Sequence, residues 1–221
     1  MSDNSVVIAG SARTPMGGMM GSLSSVRSPD LGAVAIKAAI ERSGLKPADI
    51  QEVVMGCVLP AGLGQAPARQ ASRASGIPDS SGCTTVNKMC GSGMQAVIMA
   101  HDQIKAGTNN IMIAGGMENM SQAPYLLPKA RSGMRMGHGQ VMDSMFLDGL
   151  EDAYEGGLMG GFAQRSADDY NITREAMDEF AIGSLNKALA AIENGWCKPE
   201  IAAVSVPGRG AETLVDTDEQ P

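Results

Sequence analysis

Aromatic side chains make up only 3% of the 221 residues, so the core has to be built from Ala, Val, Ile, Leu and Met. Histidine is rarer still, with His101 and His138 alone. The four cysteines, Cys57, Cys83, Cys90 and Cys197, have neither CxxC spacing nor neighbouring histidines. That pattern argues for free thiols and against a zinc site or a disulfide framework. No apolar run approaches the ~20 residues that a membrane-spanning helix needs. The opening Met-Ser-Asp-Asn-Ser leads straight into "VVIAG", without the basic and apolar regions of a secretory signal, which predicts a cytoplasmic protein. Positive charge is also in deficit: the formal net charge of -7 argues against nucleic acid or an anionic membrane as partner. A phosphate-bearing ligand held by a local basic patch stays compatible with it.

What the chain does have is 28 glycines and 17 methionines, a composition suited to close backbone approaches and adaptable packing. Its segments alternate. Val6–Ala9 reads as a strand, followed by a Gly-rich loop. Ser28-Pro29-Asp30 has the cap, proline and acid of a helix start, with Leu31, Val34, Ala35, Ala38 and Ala39 at helical spacing and Gly44 as its stop. "EVVMGCVL" predicts a strand buried on both faces, and "APARQASRAS" a short helix stopped by Gly76 and Pro78. "CTTVN" is the next strand, leading through a turn into a helix over 91–106, and "NIMIAGGMENMS" is another buried strand. Strands alternating with helices imply a layered α/β architecture.

From about Ser121 the pattern loosens. "APYLLPKARSGMRMGHGQ" reads as a long loop carrying the basic residues Lys129, Arg131 and Arg135, and 150–161 stays Gly-rich. A helix is expected from its cap Thr173 to Asn194, with Met177, Phe180, Ala181, Leu185, Ala188, Leu189 and Ile192 on one face and Gly195 beyond it. "AAVSVPG" is the last β-like run, before the acidic "DTDEQP".

The chemistry concentrates in "TTVNKMCGSGMQAVIMAHDQI". A β-branched run ends at a cysteine, a Gly-Ser-Gly turn follows, and then a helix pattern begins. A helix N-terminus offers unpaired N–H groups and a partial positive charge, which favours a thiolate at Cys90. Gly91 and Gly93 leave space for an acyl carbonyl, and the Cys90 amide could stabilise its oxyanion. Spacing alone leaves two readings open: a nucleophile, or a buried cysteine at a tight strand-to-helix turn.

The residues Val86, Asn87, Cys90, Gly91, Ser92, Gly93, Ala96 and Ile104 within that stretch resemble the active-site signature of the thiolases, the acyl-CoA C-acetyltransferases. "RTPMG", "GLGQAPARQA", "AGGMENMS", "DGLEDAY" and "TREAMDEFAIGS" resemble further thiolase stretches and stand in family order. The resemblance implies a thiolase-like layered α/β fold with a mixed sheet, its first repeat at 1–121 and part of an inserted loop domain at 122–221. It implies that Cys90 carries an acyl group from one acyl-CoA, and that a second acetyl-CoA condenses with it to a 3-ketoacyl-CoA, reversibly. It places Leu150 and Met159 beside CoA and the acyl group, although both residue types suit core packing equally. Acyl-CoA substrates, no metal, no cofactor beyond coenzyme A as part of the substrate, and a homotetramer built as a dimer of dimers are implied as well. The loop with Lys129, Arg131 and Arg135 is implied in subunit association, with its positive charge near the CoA phosphates.

The family also uses a histidine in a Gly-His-Pro context and a second cysteine in a Cys-x-Gly context, and neither motif occurs in this sequence. His101 lies 11 positions beyond Cys90, about 16 Å along a helix at ~1.5 Å per residue, too far to act as its base. His138, in the Gly-rich loop, reads as solvated. The expectation is an amino-terminal part of a thiolase, inactive by itself. A non-catalytic thiolase-like binding or assembly protein is the alternative, and a redox-sensing thiol lacks a nearby resolving cysteine. Leu158 stands where short-chain thiolases often carry histidine, so acyl-chain preference stays open.

Overall fold

The computed structural model describes residues 5–208 and 210–220. In chain order the elements are α1 Ser28–Ser43, β1 Glu52–Gly56, α2 Pro67–Ala74, β2 Gly82–Val86, α3 Ser92–Lys105, β3 Met112–Gly116, β4 Tyr125–Leu126, β5 Met142–Asp143, α4 Met159–Asp169, α5 Arg174–Glu193, β6 Val204–Pro207 and β7 Glu212–Val215. They form two compact units, one running to Gln122 and taking in Glu200–Gln220, the other Ala123–Pro199. Against the expected division at 121/122, residues 200–220 pack with the first unit. The first four residues and the last residue of the expected domains lie outside the described residues.

In the first unit, β1 is the middle strand of a three-stranded parallel sheet ordered β2-β1-β3. Val53, Val54 and Met55 are fully buried, as expected for a strand covered on both faces. Successive side chains point to opposite faces. Val53, Met55 and Cys57 therefore join Ile36 and Ile40 of α1, Ala68 and Ala71 of α2, and Met117 in one core. Gly56, on the other face, sits under the first turn of α3, so helices cover the sheet from both sides. β2 and β3, with one sheet neighbour each, are only partly buried.

Local signals set the helix ends. α1 stops at Gly44, whose left-handed φ of 73° a glycine adopts without a Cβ penalty. Its start is one residue earlier than the Ser28 cap expected: Arg27 is the N-cap and Ser28 is already helical. Beyond its first turn, the residues of α1 buried deepest are Ile36 and Ile40, not the alanines at 38 and 39. The Thr85 hydroxyl of β2 accepts a hydrogen bond from the Ala68 amide at 3.0 Å, so a strand side chain serves an otherwise unpaired donor at the start of α2.

The strand expected at Val6–Ala9 is absent, and Val7 and Ile8 are exposed. A strand needs a ladder partner, and β2 and β3 pair only with β1 among the described residues. The chain finds its partner at Arg13, which bridges Ile201. β6 and β7 then form an antiparallel ribbon, of which the sequence pattern indicated only β6. Val204 and Val206 pack with Leu23 and Leu31 in a second small core.

The second unit has little buried apolar surface, with Ala167 its one fully buried hydrophobic residue among those described. β4 and β5 pair antiparallel around the expected long loop. Antiparallel pairing thus occurs in separate ribbons, while the sheet under the nucleophile turn is wholly parallel. A π-helical turn spans Phe146–Leu150, and α4 begins at Met159 in a stretch that reads as Gly-rich loop. α5 follows its sequence signals: the Thr173 hydroxyl accepts from the Ala176 amide at 3.2 Å, Asn194 is the C-cap, and Gly195 has φ 69°. Its apolar face has no full cover, with Phe180 80% exposed.

Candidate active site

The carboxyl ends of β1, β2 and β3 lie level, since Gly56 is in register with both Val86 and Gly116. In parallel α/β sheets this edge is where ligands bind. Residues 87–91 leave β2 there and turn into α3, with Gly91 as the N-cap. The turn is tight: the Gly91 amide donates to the Lys88 carbonyl at 3.1 Å and the Ser92 amide to the Met89 carbonyl at 3.0 Å. Cys90 sits on it, exposed, immediately before the N-cap of a 14-residue helix. Cys90 therefore precedes the end of α3 that carries a partial positive charge.

Met89 carries the strain of this turn. Its φ of 48° lies in the left-handed region, which disfavours a residue with a side chain by about 1–2 kcal/mol. Both sides of it are tied. The Asn87 Oδ1 accepts from the Met89 amide at 2.9 Å. The Ser92 hydroxyl donates to the Met89 carbonyl at 2.5 Å and accepts from the Lys88 amide at 2.8 Å. Asn87 in turn donates through Nδ2 to the Val58 carbonyl at 3.3 Å, so the turn is tied to the chain leaving β1. Sequence reasoning passed over Asn87 and Ser92 as individual actors. An asparagine two residues before a turn amide is a readable Asx-turn signal.

The glycines act differently from the expectation of open space for an acyl carbonyl. A Cβ on Gly56 would lie 2.6 Å from both the carbonyl carbon and the Cβ of Ser92. The Cα of Gly93 would lie 3.4 Å from a Cβ on Gly116. Gly56, Gly93 and Gly116 thus let the start of α3 dock backbone to backbone on β1 and β3. Gly91 meets only the Lys88 carbonyl, at 3.4 Å, and is the one that leaves room beside Cys90.

The other cysteines sit elsewhere in the packing. Cys57 is buried just past β1, its thiol directed at Glu118 Oε1 at 3.7 Å. Burial, with the neighbouring carboxylate adding to it, pushes that thiol up to about 12, so it stays protonated. Cys83 lies inside β2 and directs its thiol to the Ser81 carbonyl at 3.6 Å. Cys197 is half-buried beyond α5. Of the histidines, His101 is on α3 beside Asp102 at 3.0 Å, and His138 is exposed.

Leu150 and Met159 both fall in the second unit, and Cys90 in the first. Leu150 ends the π-helical turn and Met159 opens α4. They flank an antiparallel bridge between Glu151 and Leu158, reinforced by the Asp152 amide donating to the Gly157 carbonyl at 2.8 Å. Lys129, Arg131 and Arg135 are all exposed.

Comparison with known proteins agrees along the chain. An acetyl-CoA acetyltransferase of Cupriavidus necator is 51% identical over 215 residues, 97% of this chain and 55% of that protein. Acetyl-CoA acetyltransferase 2 of Arabidopsis thaliana is also 51% identical, over 97% of this chain and 54% of its own length. A probable acetyl-CoA acyltransferase of Staphylococcus aureus is 45% identical, over 97% and 55%. The chain thus spans about half the length of the curated relatives it matches. The thiolase N-terminal domain family matches residues 6–221, and with that nearly end-to-end match the chain belongs to the thiolase family.

Proposed function

We propose that this chain provides the nucleophile of a biosynthetic-type thiolase reaction, 2 acetyl-CoA to acetoacetyl-CoA plus CoA, reversibly. The observation that carries the reading is Cys90, an exposed thiol on a strained, doubly tied turn at the N-terminus of α3. The Cys90 thiolate attacks the thioester carbonyl of acetyl-CoA. The new S–C bond forms as the bond to coenzyme A breaks, and the proton given up by the Cys90 thiol ends on the departing CoA sulfur. A second acetyl-CoA, deprotonated at its methyl carbon, attacks the acyl-enzyme carbonyl, forming the C–C bond as the bond to Cys90 breaks, and the methyl proton ends on the released Cys90 sulfur. A covalent thioester splits one difficult step into two easier ones. The Cys90 amide and the helix start stabilise the oxyanion in each.

Leu150 and Met159 line the acyl and pantetheine side of the substrate, a role supported by their common position at the Glu151–Leu158 bridge. The exposed Lys129, Arg131 and Arg135 supply positive charge for CoA phosphates and contacts for a homotetramer. Four free cysteines support action in the cytoplasm. No described helix is long and apolar enough to cross a membrane.

Mass spectrometry of the protein after brief treatment with acetyl-CoA tests the assignment. The acetyl label is expected on Cys90 and is expected to vanish in Cys90→Ser. A label on Cys57, Cys83 or Cys197 instead would overturn it, and no transfer at all would favour a non-catalytic binding role. Arg131→Glu with Arg135→Glu should raise the KM for acyl-CoA or split the oligomer; no change in either would leave the loop without function.

A further inference from the structure

We infer that Glu118 is a positioning residue for the Cys90 nucleophile, acting across the sheet edge through the peptide 57–59 and Asn87. The inference rests on the acyl-transfer reading for its consequence in turnover, while its geometry stands apart from it. Glu118 follows β3 and is half-buried. Its carboxylate gathers three donors from the chain leaving β1: the Val58 amide at 2.8 Å, the Leu59 amide at 3.1 Å and the Cys57 thiol at 3.7 Å. No Lys, Arg or His pairs with it among the described residues. A half-buried carboxylate without a counter-cation is costly unless backbone donors replace its water. Here those donors are the ones that orient the Val58 peptide.

The Val58 carbonyl then receives the Asn87 side chain at 3.3 Å. Asn87 is exposed, and without this anchor its amide would turn freely in solvent. Anchored, its Oδ1 is aimed at the Met89 amide at 2.9 Å, holding a residue whose left-handed φ is unfavourable by itself. Residues in such conformations persist only where their surroundings over-determine them. The relay therefore runs from Glu118 to Val58, to Asn87, to Met89, and ends at the residue beside the reactive thiol. Ser92 holds the same peptide from the helix side and does not contact Glu118.

A double-mutant cycle tests this with Glu118→Gln and Asn87→Ala. The neutral amide of glutamine can accept from one of the two backbone donors and opposes the other. Each single variant should slow alkylation of Cys90 by iodoacetamide roughly tenfold or more, as misplaced reacting groups do. The rate at Cys197 in the same molecules should be unchanged. In thiolysis of acetoacetyl-CoA by the whole protein, kcat should fall by the same factor with KM within about twofold. The double variant should be no slower than the slower single one, because both lie on one path. Unchanged rates, additive losses, or equal slowing at Cys90 and Cys197 would overturn the inference. Should Glu118→Gln fail to fold, surface-exposed Asn87→Ala decides by the same alkylation ratio. A wild-type protein that takes no acetyl group from acetyl-CoA, but keeps the alkylation pattern, would sink the acyl-transfer reading and leave the positioning role.

Discussion

Arg13 and Asp218, 205 positions apart, meet in a two-point ion pair with Nη1 to Oδ1 at 2.7 Å and Nη2 to Oδ2 at 2.8 Å. The Arg13 Nε holds Glu200 at 2.8 Å as well, and Asp218 also accepts from the Met16 amide at 2.8 Å. The adjoining Glu219 accepts from the amides of Gly18 at 2.5 Å and Ser22 at 2.7 Å. Its carboxylate occupies the space where a Cβ on Gly21 would stand, so a side chain there would displace it. The Gly-rich loop after Arg13 is thus held by two acids from the far end of the chain.

This pair predicts a pH dependence. The Arg13 guanidinium, first among the causes, holds the Asp218 carboxyl below the usual carboxylate range, while its burial works the other way. A carboxyl with a folded pKa below its unfolded value stabilises the fold above the unfolded pKa and loses that contribution as pH falls toward the folded one. Asp218→Asn should therefore cost roughly 1.5–3 kcal/mol at pH 7. The gap to the unaltered protein should narrow below about pH 4, where the unfolded-state aspartate titrates. Urea unfolding at pH 7 and pH 3 checks this, and a gap that does not shrink in acid would rule out the pair as its source.

Gly56→Ala should destabilise the first unit by about 1–3 kcal/mol, the range for overpacking a filled site. The added methyl meets Ser92 and Gly93 backbone that cannot yield without moving the start of α3. Cys90 alkylation should slow with it. Gly44→Ala is the contrast: nothing lies within 4 Å, so the cost is only that of φ 73°, about 1 kcal/mol, with Cys90 unaffected. Thermal unfolding and alkylation rates of the two variants distinguish clash from strain.

Thr173→Ala should lower the stability of the second unit by about 1 kcal/mol through loss of the α5 cap, and Thr173→Asn should restore most of it. Amide exchange in the first turn of α5 is the readout. Equal exchange in all three proteins would show that the cap contributes nothing.

Residues 1–221 expressed alone should bind a hydrophobic dye and self-associate. Met94, Val97 and Ile98 on α3 and Phe180, Leu185 and Leu189 on α5 are exposed, and exposed apolar surface of this extent promotes association or aggregation. The same preparation should show no thiolysis of acetoacetyl-CoA. General acid–base catalysis is typically worth ~10²–10⁴-fold, and the chain has neither a Gly-His-Pro nor a Cys-x-Gly to supply it. A monodisperse, dye-free preparation with turnover would contradict both expectations.

Much of this protein was legible in local pattern. α1 and α5 announced themselves through caps, period and terminal glycines, β1 through an apolar run, and Cys90 through its place between a strand and a Gly-Ser-Gly turn. These features depend on residues within a turn or two of each other, so the sequence alone determines them. α4 escaped because Gly160 and Gly161 resemble a loop, although in a first helical turn they weaken fewer hydrogen bonds than in an interior. Val6–Ala9 has a strand's composition but no ladder partner among the described residues, and composition cannot supply one. The docking of Gly56 under α3, the link from Glu118 through the Val58 peptide to Asn87 and the return of Asp218 to Arg13 were decided by tertiary structure. Each joins groups far apart in the chain, and only the folded packing brings them within reach of each other.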